Sequence, residues 1–127
     1  MKRYFANLFY IVPASDVVSI DGNTITLDTG KSIDTILTGN DVEFNENLKE
    51  SGANDYYEQK TTPISHSVES TIRTKYRKEK VIVQLKTTQG EVFTWGTKEV
   101  PVRLTLDSGL NADTWQMKRS ATSPLIQ

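Results

Sequence analysis

Apolar side chains recur at alternate positions in a series of short stretches, the period of a half-buried β-strand. Tyr4 to Val12 gives the first, read as a strand over residues 3–12. A hairpin follows from Val17 to Leu27. A turn at Gly22-Asn23 pairs Ile20 with Ile25 and Val18 with Leu27, so that four apolar side chains share one face. Asp28-Thr29-Gly30-Lys31 forms a second turn before Ile33 to Leu37. Residues 45–56 are polar and without period, which predicts a long loop, and Tyr56 to Thr62 reads as a strand ending at Pro63.

Residues 64–79 conflict with a single strand. Ile64, His66, Val68 and Ile72 are apolar-facing at even positions, whereas Val81, Val83 and Leu85 alternate on odd ones. A helix over about 66–78 removes the register slip, because Val68, Ile72 and Tyr76 then lie on one face. Ser65 or Ser67 would cap its start, and Arg73, Lys75, Arg77 and Lys78 would sit near its C-terminal end. The hairpin from Lys80 to Gly96 turns at Thr88-Gln89-Gly90, pairing Leu85 with Phe93 and Val83 with Trp95. Val100, Val102, Leu104 and Leu106 alternate with polar residues and Pro101, which places Pro101 at a strand start or edge. After a turn at 107–112, Trp115 and Met117 mark a last strand.

The pattern predicts a β-dominated α+β fold in a single domain, 1–127. It would be a twisted antiparallel sheet or sandwich with one flanking helix (about 66–78) and a long polar loop (45–56). Composition agrees: 36% hydrophobic and 24% charged residues in 127 suit one core, and 16 threonines suit pleated surfaces. Charge adds something the pattern does not. Residues 1–58 carry 10 acidic and 4 basic groups, a net of −6, and residues 59–127 carry 6 and 11, a net of +5. Either the halves neutralise each other within the fold, or an acidic face of one copy meets a basic face of the next, as in rings and tubes.

Without cysteine there are no disulfides, thiolate metal sites or thiol nucleophiles, and a single histidine, His66, argues against a His-based metal cage. No cofactor and no metal are expected. No apolar run approaches the roughly 20 residues of a membrane-spanning helix. Met1-Lys2-Arg3 and the apolar stretch to Val12-Pro13-Ala14 imitate a secretory signal, but Asn7 interrupts the stretch, and Tyr4 and Tyr10 suit a strand better. Gly30-Lys31-Ser32 imitates a phosphate-binding loop, yet Ile25 stands where that loop requires glycine. The basic run from Arg73 to Lys80 has only Tyr76 as an aromatic companion, so no specific nucleic-acid contact is expected. His66 reads as a packed or capping residue, and Trp95 and Trp115 as core or subunit-interface residues.

Ile25-Thr26-Leu27-Asp28-Thr29-Gly30 resembles the active-site motif of retroviral-type aspartic proteases, in which two short chains each lend one carboxylate. Lys31 departs from that motif, and no later apolar-apolar-Gly segment follows to brace the loop. A homodimeric protease using Asp28 is therefore an alternative reading, and a small β-rich protein-binding module is another. A broader resemblance covers about residues 30–127. Asp41-Val42-Glu43-Phe44-Asn45-Glu46, the Asp-Tyr-Tyr-Glu-Gln within Gly52 to Gln59, a helical segment, Val81 to Leu85, Thr88-Gln89-Gly90, Trp95-Gly96, Pro101-Val102-Arg103-Leu104 and Ser123-Pro124-Leu125 follow in an order similar to small structural proteins of tailed-bacteriophage virions. The resemblance implies a non-enzymatic tail or head–tail joining component without catalytic residues, homo-oligomeric as a ring or tube. It would contact neighbouring virion proteins, reside in the virion and assemble in the host cytoplasm, with loop 45–56 as its arm.

Overall fold

The computed structural model describes residues 4–51, 54–66, 68–122 and 125. The β-dominated α+β fold expected from the alternating pattern is present: the described residues form ten strands and one α-helix, with most of the strands in one large antiparallel sheet. The strands are β1 (Tyr4–Pro13), β2 (Val17–Asp21), β3 (Thr24–Leu27), β4 (Asp34–Ser51), β5 (Asn54–Thr61) and β6 (Ile64–His66), followed by β7 (Lys78–Thr87), β8 (Val92–Trp95), β9 (Val102–Ser108) and β10 (Ala112–Ala121). The helix, α1, is Ser70–Tyr76.

The sheet closes on itself. Neighbours run β1-β4-β5-β10-β9-β7, and β7 pairs back to β1 from Ala6↔Thr87 to Pro13↔Val81. β6 continues the place of β5 between β4 and β10, pairing Ser65 with both Thr38 and Asp113. β8 likewise lies beside the second half of β7 while β9 lies beside the first. Closure leaves one interior for alternate side chains to fill. Phe9, Ile11, Val81, Val83, Leu85, Trp95, Val102, Leu104, Trp115 and Met117 fill it, all at 2% exposure or less.

The unbroken apolar run Val81-Ile82-Val83 has a physical reason. Val81 and Val83 face the interior, and Ile82 faces outward beneath the β2–β3 hairpin, where Val12 and Val17 complete a second small core with Ile20, Ile25 and Leu27. The expected pairing Ile20↔Ile25 is present, but Val17 rather than Val18 stands opposite Leu27. A register shift between Val17 and Ser19 turns Val18 outward, at 50% exposure. The hairpin of β7 and β8 has the expected register, Leu85↔Phe93 and Val83↔Trp95, with Gly90 at φ +89° in its turn.

Two further sequence expectations are corrected. The helix occupies 70–76, shorter than 66–78, because the ladder claims residues on both sides. Ser65 is spent inside the sheet, where its hydroxyl accepts a 2.9 Å hydrogen bond from Trp115 Nε1. The chain reaches α1 through Val68, whose N–H donates to buried Asp113 Oδ2 at 2.7 Å. Glu69 precedes the helix without a side-chain cap bond, so Ser65 does not cap it, and Ser67 lies outside the described residues. Ile72 and Tyr76 pack against the core from one helical face as expected, whereas Val68 packs there from the segment before the helix.

The second correction is that the expected loop 45–56 is strand at 45–51 and 54–56, its residues 52 and 53 lying outside the described residues. β4 runs on to Ser51 and pairs with β5 in unbroken register from Asn45↔Lys60 to Ser51↔Asn54. Both sides of that two-stranded ribbon carry polar residues, so hydrophobic alternation disappears although the backbone ladder persists.

Tyr76 supplies a test of the interior. Its ring is fully buried and tilted against Trp115 at 6.0 Å, and its hydroxyl donates to Asp34, which also accepts Lys75 Nζ at 2.8 Å. Burial, and then the Asp34 carboxylate, push its pKa above the ordinary value of 10. The neutral phenol is therefore favoured in the folded state. Its stabilisation is complete below pH 10 and is lost above it, as the unfolded phenol ionises first. By pH 11.5 the loss should reach about 2 kcal/mol beyond that of Tyr76→Phe. Urea unfolding of both proteins from pH 9 to 11.5 measures this, and parallel pH profiles would contradict it.

Candidate functional site

Alternation along the closed sheet puts one residue of each pair outward, and on one side those residues are cations. Lys60 on β5 stands opposite Lys118 on β10, Lys118 opposite Arg103 on β9, and Arg103 opposite Lys80 on β7. Four positive charges thus form a directly opposed row across four adjacent strands, about 15 Å long at the usual strand spacing. All four side chains are exposed, and among the described residues none has an ion-pair partner. Lys78 lies one step along β7, opposite Thr105, and with Thr62 and Gln116 extends the same face over a depression of about 780 Å³. Glu79 lines it too, but its Oε1 accepts the Lys80 backbone N–H at 2.9 Å. Like charges directly opposed across strands are destabilising, on the order of 0.5 kcal/mol per pair. This basic belt therefore costs the isolated subunit stability.

The β4–β5 ribbon is the second feature. Among the described residues, β5 beyond Tyr57, which pairs with Ala121, has no partner but β4, and β4 beyond Phe44 pairs with β5 alone. Residues 47–51 and 54–56 thus present strand edges on both sides among the described residues. Leu48 is 52% exposed there, and Glu50 stands directly opposite Asp55.

The ribbon is rooted in the interior. Fully buried Gln59 accepts from Trp95 Nε1 at 2.8 Å and from Arg119 at 3.3 Å, and donates to Glu46 Oε2 at 2.6 Å. Glu46 also accepts the Leu125 N–H at 2.7 Å, and Arg119 Nε donates to Val100 carbonyl oxygen at 2.8 Å. Burial lowers the pKa of the Arg119 guanidinium from its ordinary value.

The residues singled out in the sequence fall elsewhere. Asp28 is exposed in a reverse turn, its N–H bonded to Asp16 and its carbonyl to the N–H of Lys31. His66 is on β6 rather than a helix and points outward, beside Asp41, Glu43 and Ile64 over a shallow cleft of about 520 Å³. Trp95 and Trp115 are both core residues. Of the basic run 73–80, Lys78 and Lys80 join the belt, while Lys75 pairs with Asp34. Lys60, Arg103 and Lys118 were not foreseen as a group. Outward alternation with Leu104 and Met117 marked two of them, but their neighbours come from distant strands.

Among the described residues no group of three or more His, Asp or Glu could hold a metal ion, and no helix is long and apolar enough to cross a membrane. No family model matches the chain, and comparison with curated proteins and with solved structures found no significant similarity.

Proposed function

We propose that this protein is a non-enzymatic structural subunit of a tailed-bacteriophage virion, a tail or head–tail joining component that assembles into a ring or tube. The observation that carries the reading is the β4–β5 ribbon, a rooted arm whose outer strand edges are unpaired among the described residues. Open backbone edges invite strand addition from another chain, and natural proteins ordinarily shield them. An arm of one copy laid against a different surface of the next makes a heterologous contact, the kind that propagates into rings or tubes. Neighbouring virion proteins would meet the free faces of that assembly, formed in the host cytoplasm and retained in the virion.

Excising the arm tests this. Replacing residues 49–56 by Asn-Gly joins Leu48 to Tyr57, which already stand opposite each other. The shortened protein should melt within about 3 °C of the intact chain, since among the described residues the removed strands pair only with each other. It should run as a monomer in light scattering where the intact protein forms large species. Unchanged assembly after excision would refute the role given to the arm.

A further inference from the structure

We infer that the basic belt is the docking surface for the acidic ribbon tip of a second copy of this chain. The inference rests on the assembly reading above and names the two surfaces that would meet.

Two like-charge clusters of opposite sign occur on one molecule. Lys60, Lys118, Arg103 and Lys80 repel one another in a directly opposed row, and Glu50 faces Asp55 at the ribbon tip. Each arrangement is unfavourable in the free subunit, and each is relieved when one meets the other. The clusters lie on different parts of the fold, the row on the outer wall formed by β5, β10, β9 and β7, the pair at the end of an arm. One copy's tip can therefore engage the next copy's belt while its own belt stays open for a third.

A nucleic-acid backbone is the competing occupant, and two observations disfavour it. No aromatic side chain lines the belt to stack a base. The chain as a whole has a net charge of −1 and a pI near 5.8, whereas nucleic-acid-binding domains are characteristically basic overall. A balanced chain with segregated charges fits self-recognition.

Charge exchange between the two surfaces is the test, read by light scattering and sedimentation at low salt. A belt variant, Lys80→Glu with Arg103→Glu and Lys118→Glu, should lose assembly. A tip variant, Glu50→Lys with Asp55→Lys, should lose it as well. An equimolar mixture should recover it, because each variant's tip then opposes the other's belt. Thermal melting checks that both fold, which their exposed positions favour, and the milder Arg103→Gln should weaken association at least tenfold on an intact fold.

If the belt and tip variants assemble like the unaltered chain, the inference is wrong although the assembly reading stands. If the unaltered chain is monomeric at every salt concentration and joins no virion component, both fail. If the belt binds duplex DNA while the tip variant still assembles normally, the belt serves a polyanion and the inference is overturned.

Discussion

Trp95→Ala should lower the free energy of unfolding by about 3–5 kcal/mol, the range for deleting a fully buried indole. Trp95 has no exposed surface, packs edge-on against Phe44 at 4.9 Å and 85°, and stands opposite Val83 of β7. The closed strands around it, each held on both edges, resist collapse into the space, although β8 itself pairs with β7 alone among the described residues. Against a total of about 5–15 kcal/mol for an ordinary domain, such a loss leaves a marginal protein. Urea denaturation followed by circular dichroism gives the value. A loss below about 1.5 kcal/mol would mean that the indole is not the central filler of this core.

The second largest effect should come from Gln59→Leu, at about 2–3 kcal/mol. Leucine nearly preserves the volume, so the loss reports hydrogen bonding. The Trp95 N–H would be left without its acceptor, Arg119 would lose one contact, and Glu46 would lose the amide at 2.6 Å. Trp95→Phe removes the same donor from the other side. The two losses should therefore be less than additive, by about 1 kcal/mol in a double-mutant cycle. Because Gln59 and Glu46 face each other at the root of the ribbon, Gln59→Leu should also speed amide exchange over residues 45–60. Full additivity, with exchange unchanged there, would show that the hub does not hold the arm.

The parts of this fold legible in the sequence are those set by neighbours along the chain. The register of Val83 with Trp95 follows from a three-residue turn with glycine in the left-handed region, and Ile20 opposite Ile25 follows from Gly22-Asn23. The face shared by Ile72 and Tyr76 follows from helical spacing and packs on the core, whereas Val68 reaches that core from the segment before the helix.

What was hidden depends on distant partners. Nothing local says that β1 pairs with β7 as well as β4, yet that pairing closes the sheet. Asn47, Lys49 and Glu50 look like loop because the ribbon they build has no buried face at its tip, and burial is what writes alternation into a strand. The basic belt was hidden for a related reason: Lys60, Lys80, Arg103 and Lys118 become neighbours only through the strand order β5-β10-β9-β7. Its traces in the sequence are the split of charge between the two halves of the chain, the basic run 73–80 and the outward places of Arg103 and Lys118 beside Leu104 and Met117.

The central claim is that this chain is a subunit of a ring or tube. Light scattering coupled to size exclusion of the intact protein, from low to high salt and with negative-stain images of any large peak, tests it most directly. Closed rings or tubes are expected at low salt, loosening as the screening length falls from about 10 Å at 0.1 M to about 3 Å at 1 M. A clean monomer at every salt concentration, with no association with other virion proteins, would contradict it.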